Sequence, residues 1–388
     1  MKKILIACRA YYPDIAGGGE ISTKTLAENL AKKGYDVNVV AISSEAGKDD
    51  IDNITVYRIK FENLYWSFNN KNTGKIKKLA WHVIDSNNIF FKKTLSDILS
   101  KLEPEVLITS TIEDISSIIW KVAKSKGIRT VHILRSYSLL CANANMFKTE
   151  NCKNRCKFCS IITQGKKANS KYVDDVVGIS QFVLDEHLKY NYFPNSRRHV
   201  IYNICLDKKN TAIPTKTNLD NIKIGYLGRV HVTKGIDLIM DALSCLSYDL
   251  KNRVEVLVAG NGDEIYIQEL KNTAKRLDIS VNFLGSMNAT KFLDSIDILV
   301  VPSKWNEPFG RVVIESIGRN VPVIAKSVGG IPELLLNNKD FLFNCPKDLS
   351  KIISKFLNRE IFFDFNLERF NSDCIIDDWQ KLLENEKD

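Results

Sequence analysis

The stretch Ile298-Leu299-Val300-Val301-Pro302-Ser303-Lys304-Trp305-Asn306-Glu307-Pro308-Phe309-Gly310-Arg311-Val312-Val313-Ile314-Glu315 decides the fold. Its opening apolar run, Ile298 to Val301, reads as a buried strand, and Val312 to Ile317 reads as a helix that packs on a sheet. Glu307 then sits on the connecting loop and Glu315 on the second helical turn. At about 1.5 Å of rise per residue, the two carboxylates are on the order of 10 Å apart and can serve two places on one elongated ligand. Between them, the helix start offers unpaired N–H groups and the positive end of a dipole, which suits a diphosphate.

Working outward, the same alternation of strand and helix fills the chain. Ile4 to Cys8, Val37 to Ile42, Val106 to Ser110, Thr130 to Leu134 and Val176 to Ile179 read as strands. Ile21 to Lys33, Phe91 to Leu102, Ile115 to Lys126 and Gln181 to Tyr190 read as the helices between them. A polar stretch at 207–221 contains Pro214 and little that packs, so it is expected to be a linker. The pattern resumes with strands at Ile222 to Leu227, Val254 to Ala259, Val281 to Leu284 and Val321 to Ala325, and helices at Gly235 to Leu246 and Glu264 to Leu277. Two parallel, doubly wound α/β halves follow, 1–206 and 222–372, with an amphipathic helix in 373–388 around Trp379, Leu382 and Leu383. Ligands of such sheets lie outside the carboxyl ends of the strands, so a cleft between the halves is the expected site.

Composition bounds the classes. At 388 residues, 44% hydrophobic and 26% charged, the chain suggests two ordinary globular domains, and no apolar run approaches the ~20 residues that span a bilayer. The start, Met1-Lys2-Lys3-Ile4-Leu5-Ile6-Ala7-Cys8-Arg9, imitates an export signal, but its apolar part is too short and reads better as a first strand. A cytoplasmic location, in which cysteines stay reduced, is the expectation. Charge is lopsided: residues 1–200 hold 31 Lys+Arg against 20 Asp+Glu, and the remainder of the 55 and 46 is 24 against 26. The excess gathers in Arg58 to Lys101 and Lys148 to Lys171, which is either a solvated lysine-rich surface or a face for an anionic membrane or a phosphate-bearing acceptor. Within it, Lys75 to Val83 mixes cations with apolar residues on a helix-like segment, compatible with an ordinary packed helix or with peripheral contact at the inner face of a plasma membrane.

Three further segments carry candidate chemistry. Gly17-Gly18-Gly19-Glu20 follows the first strand, as a flexible turn or as a loop whose N–H groups approach a phosphate. Gly228-Arg229-Val230-His231-Val232-Thr233-Lys234-Gly235 follows the strand Ile222 to Leu227 and supplies two cations at a strand end. Cys141, Cys152, Cys156 and Cys159 form C-x10-C-x3-C-x2-C in an insertion at 141–159, spacing that suits a structural zinc, an iron–sulfur cluster or free thiols.

The E-x7-E spacing with Pro-Phe-Gly after its first Glu, the Gly-Gly-Ile-Pro-Glu segment at Gly329 to Glu333 and the G-R-x4-K-G segment together resemble the retaining glycosyltransferases of family 4, which have the two-domain GT-B fold. The resemblance implies transfer of a sugar from a nucleotide sugar, UDP- or GDP-linked, to a glycan or lipid-linked glycan in bacterial surface polysaccharide synthesis. It places Arg229 and Lys234 on the donor diphosphate, Glu307 beside the transferred sugar and Glu315 on the ribose hydroxyls. It also implies donor contacts from Gly17, Gly18, Gly262, Arg311 and the backbone at Phe309 and Gly310. No catalytic metal is required, because fixed cations stabilise the leaving nucleotide. The family's route is described as front-face return, in which the departing phosphate accepts the acceptor's proton, so Glu307 is expected to position and stabilise rather than attack. In this family the final helix commonly crosses back onto the first domain. Where members often carry a His-Asp pair, this chain has Arg135-Ser136. Arg135 is then a candidate for the sugar or acceptor side, and His132 reads as a core histidine inside its strand.

Two other readings remain: a sugar-nucleotide epimerase on the same architecture, and a zinc-containing nucleic-acid-binding protein built on the cysteines and the basic half. Against the second, no aromatic-rich basic motif accompanies the cysteines, so nucleic acid is not an expected partner. A dinucleotide-dependent dehydrogenase is disfavoured because no G-x-G-x-x-G follows the first strand.

Overall fold

A computed structural model describes residues 1–15, 17–69, 73–206 and 221–385. The linker expected at 207–221 therefore lies, but for Asn221, outside the described residues. The chain divides into two units, one of 1–146, 152–204 and 373–388, the other of 147–151 and 205–372.

The first unit holds an eight-stranded sheet of β1 (Lys3–Cys8), β2 (Asp36–Ser43), β3 (Gly47–Ile51), β4 (Ile54–Lys60), β5 (Val106–Ser110), β6 (Arg129–Leu134), β7 (Asp175–Gly178) and β8 (Arg197–Val200). Their order is β3-β4-β2-β1-β5-β6-β7-β8, parallel throughout except the β3–β4 hairpin. That hairpin turns on Asp52 and Asn53, both at positive φ (52° and 63°), the conformation that two-residue hairpin loops demand. The hairpin and β8 are absent from the sequence reading, since β3 is polar and exposed and β8 is a charged edge; neither carries an apolar run.

The second unit holds β9 (Ile222–Leu227), β10 (Val254–Ala259), β11 (Ser280–Gly285), β12 (Ile298–Val301), β13 (Val323–Lys326) and β14 (Leu342–Phe343). Their order, β11-β10-β9-β12-β13-β14, is that of a Rossmann sheet, and the paired strands run parallel. Its core is aliphatic: Ile224, Val256, Val258 and Val300 from the strands meet Ile239, Met240 and Leu349 from the covering helices, all at 0% exposure. The chain changes direction across the sheet between β9 and β12, the switch point at whose carboxyl ends doubly wound sheets place their ligands.

The final helix, Ser372–Glu384, closes the first unit. Arg129 on β6 donates to its last carbonyls, to Leu382 O at 2.7 Å, Leu383 O at 3.3 Å and Asn385 O at 2.9 Å, a cation on the negative end of a helix. The same guanidinium grips Asp175 on β7 at 2.9 Å, which also binds Arg197 at 2.8 Å and His199 at 3.0 Å from β8. Burial opposes ionisation of Asp175, yet the hydrogen bonds from His199, Arg197 and Arg129 outweigh it and hold the carboxyl below its ordinary value. A depressed carboxylate stabilises the fold above its unfolded-state value and loses that contribution as pH falls. Asp175→Asn is accordingly expected to lower stability at pH 7 in urea unfolding, with the gap to the unaltered protein narrowing as pH falls below about 4. An unchanged gap from pH 7 to pH 3 would contradict this assignment.

Candidate active site

The loops that leave β9 and β12 carry the residues singled out above. After β9 the chain passes Gly228, at φ +149°, to exposed Arg229, whose backbone carbonyl accepts from Tyr226 Oη at 2.8 Å. His231 caps the short turn Val232–Lys234 by accepting from Thr233 N at 3.2 Å, which fixes where Lys234 leaves the backbone. Gly235 ends that turn at φ +71°, and a Cβ there would stand 2.2 Å from Pro302 O, so the first loop is threaded against the start of the second. Thr233 O in turn accepts from Lys304 N at 2.8 Å and Trp305 N at 3.3 Å.

This cross-strapping brings Lys234 Nζ to 2.5 Å from Glu307 Oε1. The same oxygen accepts from Ser303 Oγ at 2.6 Å and Trp305 Nε1 at 2.9 Å, and the Lys234 ammonium lies 5.3 Å from the Trp305 ring centroid. Glu307 is only 9% exposed, so its charge is one that three donors must hold. Lys304, next in the loop, reaches instead to Asp237, on the helix Ile236–Ser244. Sequence reasoning named Lys234 and Glu307 as candidates but not Ser303, Trp305 and Asp237, whose contacts with them and with Lys304 exist only once the two loops are folded together.

The helix predicted from Val312 spans Arg311–Ile317, with Gly310 at φ +107° before it. Arg311 Nη2 holds Glu315 Oε1 at 3.0 Å, a bond within one turn that orients the Glu315 carboxylate. Phe309 is 2% exposed, so its side chain belongs to the core and only its backbone is available to a ligand. Gly260 and Gly262 have structural reasons of their own. A Cβ would stand 1.8 Å from Gly228 O at the first and 1.9 Å from Val230 O at the second, because the β10 loop crosses the β9 loop backbone to backbone.

In the first unit, the helix after β1 begins at Gly18, three residues before the sequence expectation. The Gly17 N–H donates to Glu20 Oε2 at 3.0 Å, so Glu20 occupies the donor that the phosphate reading assigned to a ligand. Arg135 donates to Ser110 Oγ at 2.8 Å and to Asn203 Oδ1, on the carboxyl side of β6. His132 is a core residue as expected: it bonds Thr109 Oγ1 at 2.9 Å, meets Trp120 edge-on, and burial pushes its pKa down to about 3.

Of the expected zinc set of Cys141, Cys152, Cys156 and Cys159, Cys141 and Cys156 are both in side-chain hydrogen-bonding contact with Cys159, while among the described residues no group of three or more His, Cys, Asp or Glu has the geometry to hold a metal ion. Cys156 Sγ caps the helix Lys157–Ile162 by accepting from Cys159 N at 3.5 Å. Cys141 sits beside Cys159, whose hydrogen bond draws the Cys141 thiol below its ordinary range.

On the segment Lys75–Ser86, a true helix, Trp81 is buried whereas Ile76 and Val83 are exposed, so it packs by one side and leaves an apolar, lysine-bearing side outward. No described helix is long and apolar enough to cross a membrane.

Residues 207–369 match the family model of glycosyl transferases group 1, and residues 16–205 match that of glycosyltransferase family 4. The chain belongs to glycosyltransferase family 4. It is 31% identical over 98% of its length, and 99% of the relative's, to a 42.6 kDa protein of the cps region of Klebsiella pneumoniae. It is 24% identical to a glycosyltransferase of Methanocaldococcus jannaschii over 90% of this chain and 87% of that one. Among solved structures it resembles Anabaena HepE in complex with UDP (TM-score 0.70, 16% identity, 99% of each chain) and the lipopolysaccharide outer core galactosyltransferase WaaB (TM-score 0.68, 15% identity, 99% of each chain). These likenesses establish the GT-B fold.

The glycines separate packing from ligand contact. Gly260→Ala, which meets a carbonyl and forces positive φ (+138°), is expected to cost about 1–3 kcal/mol in thermal unfolding. Gly17→Ala, with nothing within 4 Å of a new Cβ, is expected to stay within about 0.5 kcal/mol of the parent. Equal losses at both would overturn the distinction.

Proposed function

We propose that this family 4 glycosyltransferase moves a sugar, with retention of anomeric configuration, from a UDP- or GDP-sugar to a glycan or lipid-linked glycan in the synthesis of a bacterial surface polysaccharide. The observation that carries this reading is the Lys234–Glu307 pair, fixed at 2.5 Å where the β9 and β12 loops cross. In it, Arg229 and Lys234 meet the donor diphosphate, Glu315 takes the ribose hydroxyls through the oxygen Arg311 leaves free, and Gly310 and Phe309 present backbone to the sugar or phosphate. The bond from the anomeric carbon to the diphosphate breaks, an acceptor oxygen bonds to that carbon from the same face, and its proton passes to the departing phosphate oxygen. Negative charge grows on that phosphate as the bond lengthens, and two preplaced cations lower its energy without a divalent metal. Glu307, whose Oε1 accepts from three donors, serves to hold Lys234 in place. It is a positioning residue rather than a nucleophile.

Supporting the substrate class, the neighbour HepE is described with UDP and with UDP-glucose, and the Klebsiella relative comes from a cps region. The first unit is read as the acceptor side, with Arg135 toward the sugar or acceptor. The exposed apolar and lysine side of Lys75–Ser86 is read as its contact with an anionic membrane surface carrying a lipid-linked acceptor.

The test is Lys234→Ala. Turnover of the donor is expected to fall about 10²–10³-fold, with the thermal unfolding midpoint lowered by the loss of Glu307's charge partner and the chain still folded at the assay temperature. Parental turnover in that variant would refute the assignment, and NMR of the product showing an inverted anomeric centre would refute retention.

A further inference from the structure

The second unit includes a short piece of chain taken from the insertion at 141–159: Phe147–Asn151, which the chain enters from the first unit and leaves to return to it. These residues form a closed turn. Phe147 and Asn151 pair as an antiparallel bridge, Lys148 N donates to Glu150 O at 3.1 Å, and Cys152 N donates to Met146 O at 2.7 Å across the base. The function proposed above uses none of them.

Asn151 spends both ends of its side-chain amide on the loop that carries Glu307. Its Nδ2 donates to Lys304 O at 2.8 Å, and its Oδ1 accepts from Asn306 N at 2.9 Å. A carboxamide offers a donor and an acceptor in one plane, so it can mate with the carbonyl before and the N–H after a single residue, as a residue of a neighbouring parallel strand would. The residue held between is Trp305. Aspartate could satisfy only the Asn306 N–H, and a shorter side chain would reach neither group.

Trp305 is the residue whose placement matters. Its indole N–H donates to Glu307 Oε1 at 2.9 Å, and its ring centroid lies 5.3 Å from the Lys234 ammonium. No helix or strand interrupts residues 302–310, so the path of this loop is set by what bonds its backbone from outside. Thr233 O accepts from Lys304 N at 2.8 Å and from Trp305 N at 3.3 Å, and Glu307 O accepts from Gly330 N at 2.8 Å. Asn151 anchors two further groups, Lys304 O and Asn306 N, at half-buried positions where a backbone group left unpaired is costly. Its partners lie 153 and 155 positions away, so nothing in the sequence marks it.

We propose that Asn151 is a positioning residue for the Lys234–Glu307 pair: by pinning the backbone on both sides of Trp305, it fixes the indole on Glu307 and with it the place of the Lys234 ammonium. That this ammonium meets a donor diphosphate rests on the transferase reading above; the hold of Asn151 on Trp305 does not.

The experiment compares Asn151→Ala with Glu150→Ala, an exposed neighbour in the same turn, in the full chain. Nitrogen-15 NMR of the five tryptophan indoles, with the Trp305 resonance assigned by Trp305→Phe, reads the loop, and calorimetric titration with UDP and GDP reads the site. Asn151→Ala is expected to move the Trp305 indole resonance and to weaken nucleotide binding about tenfold, and Glu150→Ala to change neither. Asn151→Asp, which keeps the acceptor for Asn306 N and loses the donor for Lys304 O, is expected to fall short of parental affinity. In a Lys234→Ala background, Asn151→Ala is expected to cost no further affinity, because the two act through one contact, whereas a merely structural loss would multiply. Should Asn151→Ala fail to fold, Asn151→Ser carries the comparison. An unmoved Trp305 resonance, parental nucleotide affinity in Asn151→Ala, or full additivity with Lys234→Ala would overturn the proposal. A parent protein that binds neither nucleotide sinks the transferase reading, and the Trp305 resonance then decides for or against Asn151 by itself.

Discussion

Three stretches of the second unit meet at Glu307. Its carboxylate holds Lys234 from the β9 loop and Ser303 and Trp305 from its own, while its backbone carbonyl accepts from Gly330 N at 2.8 Å. A Cβ on Gly329 would stand 2.2 Å from that carbonyl, so the Gly329-Gly330 step exists to let the chain pass this close. A carboxylate withdrawn from water is tolerable only with such a full complement of donors, and removing any of them leaves a charge poorly compensated. The requirement works in both directions: Glu307 needs Lys234, and Lys234 is thereby kept at one place at the carboxyl end of the sheet. Preorganised charge of that kind stabilises a leaving diphosphate without reorganisation during the reaction.

The first unit solves a related problem differently. Its buried charges, Lys166 with Asp85 and Arg129 with Asp175, are matched and tie helices and strands together. Burying such pairs adds little net stability, but breaking one is costly, so they fix geometry.

Much of this was legible in the residues. Buried parallel strands are continuous apolar runs, so Ile222–Leu227, Val254–Ala259 and Ile298–Val301 coincide with their sequence readings, as does the helix Glu264–Leu277. Elements held by tertiary pairing were not: the polar hairpin strand Gly47–Ile51 and the edge strand Arg197–Val200 have no hydrophobic signal of their own. Lys234 and Glu307 could each be named, but their pairing joins positions 73 apart, and the parts of Ser303 and Trp305 follow from that pairing. The four cysteines were legible as a cluster from their spacing alone: the fold brings Cys141 and Cys156 against Cys159, with Cys156 also capping the helix that carries Cys159.

The central claim is that Arg229 and the Lys234–Glu307 pair form the seat of a donor diphosphate. Its most direct test is a crystal structure of the chain soaked with UDP or GDP. The account expects diphosphate density within hydrogen-bonding distance of the Arg229 guanidinium and the Lys234 ammonium, with the ribose against Glu315. Nucleotide bound elsewhere, with Lys234 and Glu307 untouched, would contradict it.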